Sequence, residues 1–346
     1  MEICKHRCLF NHTFFQQTVK CDICNNEAVT YIRYNGTHLC SEHFMKFVEK
    51  RVKKEIRRQV NLRSGDTVGV AVSGGKDSMI ALHLLHSILG ERRDIDIQCI
   101  TIDEGIDGYR KESIDIVKEF CSARGIKYNE CSFSDKFGIT MDEAAPLSGD
   151  SSPCTYCGVF RRNAMNDVAR KIGATYLATG LNLDDTAQSI MMNFTRGDIE
   201  RLARLGPHKK VQPGLIPRIQ PLRMIPEKES LLYAIVAGIP FHNGICPYSD
   251  EALRNQYRDV INELETRSPG TRHSIISSYD QLMPMLSSSV KPAELKKCEC
   301  GEPTLSERCK ACELMAALKE KKLKVFERDE VTASAFEAHG LERVRR

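Results

Sequence analysis

The segment Ser73-Gly74-Gly75-Lys76-Asp77-Ser78 constrains this chain more than any other. A short apolar run, Thr67–Val72 (TVGVAV), precedes it, and Met79–Leu89 (MIALHLLHSIL), apolar at helical spacing, follows it. A glycine-rich turn between a buried strand and a helix lets the backbone approach an anion closely. The helix start adds free N–H groups and the positive end of its dipole. Lys76 adds a full charge, and the Ser73 and Ser78 hydroxyls can donate to phosphate oxygens. An ordinary strand–turn–helix with a solvated lysine does not require this combination. Nor is the spacing that of the Walker loop, which places four residues between its first glycine and its Gly-Lys pair.

Strand and helix patterns go on alternating downstream. Ile95–Ile102, Lys127–Cys131 and Thr175–Thr179 read as strands; Gly108–Arg124, Gly158–Ile172 and Asp184–Phe194 read as helices. Such alternation predicts an α/β fold, a parallel sheet with helices on both faces that binds ligands at the carboxyl ends of its strands. The glycine loop, Cys154-x2-Cys157 and Asn182-Leu183-Asp184-Asp185 all fall at or near such ends. The expected organisation is an N-terminal zinc-binding module (1–45), a basic linker helix (46–64), a catalytic domain (65–290), a C-terminal zinc-binding module (291–318) and a charged tail (319–346).

A net charge of +4 on 346 residues is too small to mark a nucleic-acid binder by itself. Any RNA surface must come from local clusters, of which Lys50–Arg58, Arg196–Arg204, Lys209-Lys210 and Lys291–Lys297 are the candidates. Each taken alone reads as a solvated face. No apolar run approaches the roughly 20 residues of a membrane span. Met1–Lys20 is polar and has no apolar signal core, so a cytoplasmic location is expected.

Fifteen cysteines in such a chain point to metal rather than disulfides. Cys21-x2-Cys24 with Cys40-x2-His43 makes a zinc-ribbon set, and Cys298-x-Cys300 with Cys309-x2-Cys312 makes a second. Four protein ligands leave no open position, so both zinc ions are read as structural. Cys4, His6, Cys8 and His12 fit a loosely packed start better than a third site. Cys99, Cys121 and Cys131 sit in apolar or strand patterns and read as core. Cys154, Cys157 and the isolated Cys246 remain. By spacing alone they are equally a redox pair, half a zinc site or part of an iron–sulfur site. Pro153 and Gly158 suggest a shaped loop before a helix, whose start would lower a thiol's pKa.

SGGKDS resembles the PP-loop of the N-type ATP pyrophosphatases, which cleave ATP between its α and β phosphates and adenylate a substrate oxygen. The resemblance implies pyrophosphate contacts from Ser73, Gly74, Gly75, Lys76 and Ser78, and an adenine contact at Ile102. CTYCGVFRR, ATGLNLDDTAQSIMMNFTRGD, PLRMIPEKE and Cys246-Pro247 further resemble the tRNA 2-thiouridine synthetases of the TtuA and NcsA group, over roughly residues 20–315. That family implies an oxygen-sensitive [4Fe–4S] cluster on Cys154, Cys157 and Cys246. It also implies a nucleotide contact at Gly180, a basic residue near the ATP phosphates at Arg161 and a catalytic carboxylate at Asp185 that holds Mg²⁺ or orients the base. Asp184 reads as a helix N-cap. One departure stands out: where the family has histidine before its Asn-Leu-Asp-Asp, this chain has Leu181, so no proton transfer is assigned there.

The implied activity is ATP-dependent adenylation of uridine O2 followed by sulfur transfer through the cluster to give 2-thiouridine. Wobble position 34 is favoured over position 54. The implied partners are tRNA, a sulfur donor (a ubiquitin-like thiocarboxylate carrier, a desulfurase or free sulfide) and a second copy of the chain. The rivals are a cluster-free persulfide route on the same cysteines, an amidating or lysidine-forming ligase, and a non-catalytic zinc-ribbon RNA-binding protein.

Overall fold

The computed structural model describes residues 19–149, 152–207, 211–212, 214–249, 254–289 and 294–323. Cys4, His6, Cys8 and His12, Lys209-Lys210, Lys291 and most of the charged tail lie outside them. In chain order the elements are β1 (Thr30–Ile32), β2 (Thr37–Leu39), α1 (Ser41–Gln59), β3 (Thr67–Ala71), α2 (Lys76–Leu89), β4 (Asp96–Asp103), α3 (Arg110–Ser122) and β5 (Lys127–Ser132). Next come α4 (Phe133–Phe137), α5 (Met141–Ala144), α6 (Pro153–Lys171), β6 (Tyr176–Thr179), α7 (Leu183–Thr195), α8 (Ile199–Ala203) and β7 (Arg218–Ile219). The chain continues through α9 (Glu227–Val236), α10 (Arg254–Arg267), α11 (Thr271–Ser289), β8 (Lys296–Lys297) and β9 (Pro303–Thr304), and residues 310–323 are helical.

Five strands form a parallel sheet in the order β5-β4-β3-β6-β7. After β3 the chain steps outward to β4 and β5, then returns to the other side for β6. The carboxyl ends of β3 and β6 therefore flank the point where strand order reverses, the usual ligand crevice of such sheets. Both neighbours of β3 bury it: Val68 and Val70 are fully inaccessible.

Each face of the sheet carries its own core, and each core includes one cysteine module. On one side Cys21, Ile32, Leu39 and Cys40 pack with Phe44, Val48, Val52 and Ile56 of α1 and with the apolar face of α2. On the other, Cys298, Cys309, Ala311 and Leu318 pack with Phe160, Ala164 and Val168 of α6. Leu183, Ile190, Leu202, Ile276 and Tyr279 make a third cluster joining α7, α8 and α11.

Several boundaries differ from the sequence expectation. The basic helix starts at Ser41, inside the N-terminal module, and ends at Gln59, so His43 is helical. The helix expected from Gly158 begins at Pro153, which puts Cys154 and Cys157 in its first turns rather than in a loop. Proline at the first helical position costs nothing there, because that N–H has no intrahelical partner. Residues 319–323 continue the last helix instead of belonging to a tail. Cys99 and Cys121 are buried and Cys131 is half-buried.

Candidate functional site

The phosphate loop folds on itself at the carboxyl end of β3. Ser78 Oγ accepts the Ser73 N–H at 3.1 Å and donates to the Gly75 carbonyl at 2.8 Å. Gly74 needs to be glycine twice over: its φ is +84°, and a Cβ would lie 2.5 Å from the Ser113 carbonyl oxygen. No side chain caps α2, so its first N–H groups face the crevice. Gly180, at the end of β6, comes so close that a Cβ would sit 2.8 Å from Ser78 Cα.

Lys76 Nζ lies 2.8 Å from Asp77 and 2.9 Å from Glu227 at the start of α9. The loop is also clamped from behind by Arg110, which donates to the Ser73 carbonyl at 2.8 Å and to the Ile102 carbonyl at 2.6 Å. Glu104 neutralises it at 2.6 Å, and both side chains are 5% exposed, as buried ions must be when paired. The other carboxylate oxygen of Glu104 stands 3.6 Å from Arg161.

These elements enclose a cavity of about 760 Å³ whose walls include Ser73, Gly75, Lys76, Ser78, Ile102, Arg161 and Gly180. That volume suits a nucleotide. Gly74 and Asp185 do not line it; Gly74 shapes the turn behind the wall.

The two aspartates of the Asn182–Asp185 segment have separate environments. The N-cap is Asn182, not Asp184: its side chain accepts the Asp185 N–H at 2.9 Å, and the Asp185 carboxylate accepts the Asn182 N–H at 3.3 Å. Asp184 is buried, paired with Arg272 at 2.7 Å, and accepts the Glu227 N–H at 2.8 Å. It thus pins α7 to α9 and α11. Asp185 meets Arg254 at 3.4 Å. Burial pushes its carboxyl above the usual range and Arg254 opposes that, while Asp77 and Glu227 lie close enough to raise it further. Asp185, Asp77 and Glu227 thus bring carboxylates, hard donors of the kind Mg²⁺ takes, to the same side of the phosphate loop, although not all three within 4.8 Å of one another.

The three lone cysteines converge from α6 and from the segment before α10. Cys154 Sγ donates to the Tyr248 carbonyl at 3.1 Å, tying the CxxC turn to the Cys246-Pro247-Tyr248 loop. Burial pushes the Cys157 thiol up to about 11, with Arg161 opposing, and also raises Cys246. The lowering expected from a helix start is therefore overridden by desolvation at Cys157. Cys157 feels the charges of Cys246 and Cys154, and Cys246 feels that of Cys154. Gly158, Arg161 and Gly244, which line the nucleotide cavity, lie within four residues of Cys157 or Cys246.

The donor sets of the other cysteines are of a different kind. Cys24 Sγ is 3.7 Å from Cys40 Sγ, and His43 Nδ1 is 3.5 Å from Cys21 and 3.3 Å from Cys40. Cys298–Cys312 and Cys300–Cys309 are 3.6 and 3.5 Å apart. Two thiolates on a tetrahedral zinc, each at about 2.3 Å, stand about 3.8 Å apart, so both sets fit zinc. Among the described residues only these two sets bring their donor atoms within 4.8 Å of one another. Cys154, Cys157 and Cys246 are not such a set, and three thiols with no histidine or carboxylate among them are the donor chemistry of an iron–sulfur cluster.

A PP-loop domain model matches residues 47–264, and the model of the N-terminal LIM domain of the 2-thiouridine synthetase TtuA matches residues 20–45. The tRNA 2-thiolation protein NcsA of Haloferax volcanii is 37% identical over 318 residues, covering 87% of this chain and 99% of that protein. The chain belongs to the TtuA/NcsA family. The tRNA-5-methyluridine(54) 2-sulfurtransferase of Pyrococcus horikoshii is 32% identical over 90% of this chain and 98% of its own length. The U34-tRNA thiolase NcsA of Methanococcus maripaludis, solved with its [4Fe–4S] cluster, superposes with a TM-score of 0.75 at 34% identity, over 86% of this chain and 96% of that one.

Sequence reasoning missed several groups at the TtuA/NcsA site: Glu104, Arg110, Arg162, Arg218, Arg254 and Glu227. Glu227 carries a usable signal, an acidic residue directly after Pro226 at a helix start. Arg110 carries none, because besides Glu104 and Ser113 it serves the Ser73 and Ile102 carbonyls, which only the tertiary fold brings together.

Proposed function

We propose that the chain is an ATP-dependent tRNA uridine 2-sulfurtransferase that makes 2-thiouridine. The observation that carries this reading is the adjacency of a phosphate-loop cavity and three converging thiols, with Gly158, Arg161 and Gly244 in the wall between them. A pyrophosphatase that only adenylates has no use for the thiols, and a zinc-ribbon binder has no use for the cavity.

Uridine O2 attacks the α-phosphorus of ATP and pyrophosphate leaves. The Ser73–Ser78 loop holds the departing pyrophosphate, and Lys76 balances its charge. Asp185 would offer an oxygen to Mg²⁺, with the carboxylates of Asp77 and Glu227 nearby. Sulfur then replaces the activated oxygen at C2, and AMP is released. A [4Fe–4S] cluster on Cys154, Cys157 and Cys246 supplies, when bound, an iron with a free position for sulfide. Ile102 and Gly180 position the nucleotide, and Arg161 faces its phosphates.

Position 34 is favoured because the structural relative of TM-score 0.75 is named for that uridine. The sulfur donor is a thiocarboxylate carrier, a desulfurase or free sulfide, and the working unit is a homodimer, as family resemblance implies. A cytoplasmic setting suits a chain whose described cysteines are all free thiols. No helix among the described residues is long and apolar enough to cross a membrane.

The test is anaerobic incubation with an unmodified tRNA transcript, ATP, Mg²⁺ and sulfide, followed by nucleoside analysis. The expected result is 2-thiouridine together with tRNA-dependent AMP release. AMP release without thiolation would favour a ligase, and tRNA binding without AMP would favour the non-catalytic reading.

A further inference from the structure

A second cavity, of about 1020 Å³, lies against the first and shares Gly158, Arg162 and Arg218 with it. No residue of the phosphate loop reaches it. Its far walls come from α7, α8, α10 and the C-terminal zinc module, and Cys154 stands on its rim. Glu302 is the one carboxylate on its walls, and it is already taken by Arg170 at 2.9 Å and by Asn166.

The cations on the shared wall are not balanced. Arg162 makes no hydrogen bond or ion pair with any described residue. Arg218 donates to the Asn166 side-chain oxygen through one nitrogen, while its Nη1 is buried without a partner. Burial pushes its guanidinium down to about 10; Glu302 opposes that and the charge of Arg162 adds to it. Two guanidiniums that repel one another beside an open cavity are stabilised when an anion sits between them. Arg201 and Lys310 continue the lining outward as exposed cations, each in a solvent-screened pair with a neighbouring carboxylate, Asp198 at 3.2 Å and Glu313 at 3.1 Å.

Building on the tRNA thiolation reading, we propose that this second cavity receives the RNA strand on either side of the target uridine, with backbone phosphates on Arg162 and Arg218 and the base reaching past Gly158 into the ATP cavity. The Arg162 guanidinium lies over Gly158, with Nη1 3.4 Å from where a Cβ would stand, so a phosphate held by Arg162 sits beside that glycine, and the phosphate loop already supplies the anion site for ATP. The C-terminal zinc module thereby forms part of the RNA site, through Lys310.

The test uses the full chain with its metals, a fluorescently labelled unmodified tRNA transcript, and ATP titrated separately. Arg162→Gln and Arg218→Gln should each weaken tRNA binding about tenfold. Each should also lower the slope of log affinity against log salt by about one. ATP affinity should change much less. Arg201→Glu and Lys310→Glu, at exposed positions, should weaken tRNA binding too, and they keep the inference testable if Arg218→Gln fails to fold. Loss of ATP affinity with unchanged tRNA affinity would assign the anion site to ATP and overturn the proposal. Unchanged tRNA affinity in all four variants would also overturn it. So would rim variants that slow thiolation only with a protein sulfur donor, because the cavity would then dock the donor. The binding measurement stands apart from catalysis. A wild-type chain that binds tRNA through these arginines but never thiolates it would defeat the proposed function alone.

Discussion

Lys76 and Glu227 stand 2.9 Å apart although 151 residues separate them in the chain. The pair joins the phosphate loop to α9, whose first N–H is in turn held by Asp184. Lys76 is thus held in the crevice by the start of α9.

Lys76→Ala and Asp185→Ala should each lower 2-thiouridine formation by about a hundredfold or more, since both act where charge develops during adenylation. Zinc and iron content should stay at wild-type levels, because neither residue belongs to a cysteine set. Wild-type activity in either variant would remove that residue from the mechanism.

Cys154→Ala, Cys157→Ala and Cys246→Ala should each lose the cluster and thiolation together while ATP still binds. Anaerobically purified protein should carry about four irons beyond its zinc, and added sulfide should perturb the cluster's absorption. Protein stripped of iron but not zinc should be inactive. Full activity after that treatment, with a Cys154–Cys157 or Cys157–Cys246 disulfide forming in turnover, would establish the persulfide route instead.

Cys40→Ala and Cys309→Ala should fail as folded proteins before they fail as catalysts. Structural zinc contributes folding free energy directly, so the melting temperature should fall by roughly 10 °C or more. Differential scanning calorimetry alongside metal analysis checks this. A variant that binds less zinc but melts like the wild type would contradict a structural role.

Acid stability should depend on His273. Its Nε2 faces the Arg51 guanidinium at 3.0 Å, and burial, with Arg51 adding to it, lowers its pKa from 6.5 to about 4. The unfolded chain therefore binds this proton first. The stability contributed by neutral His273 is complete above pH 6.5 and is lost as pH falls toward 4, up to about 3 kcal/mol. His273→Gln should flatten the stability profile across that window in denaturant titrations. An unchanged profile would show that other groups dominate.

The sheet and its ligand end were legible from sequence because β3 and α2 carry unambiguous periodicities and the SGGKDS turn has one sensible use. The zinc sets were legible because each is local, two pairs a few residues long. The supporting charges were not. Arg272 and Arg218 pair across long stretches of chain, with Asp184 and Asn166, and the Arg110–Glu104 pair, though only six residues apart, is buried by tertiary packing that no local pattern shows. The thiol environment was misjudged for a related reason: a helix start is visible in sequence, whereas the burial that raises Cys157 comes from the packing of separate segments. The α10–α11 pair also escaped notice, because Val260, Leu264, Leu282 and Met285 are apolar yet exposed and blur the pattern of the buried faces.

The C-terminal cysteines share one apolar layer with α6, the helix that carries Cys154 and Cys157. That layer has order-of-synthesis consequences. The N-terminal module and its half of the sheet can consolidate while translation is still under way. The wall behind α6 cannot close until residues 298–318 have left the ribosome. A chain cut short before Cys298 would therefore leave Phe160, Ala164 and Val168 of α6 without the partners that cover them.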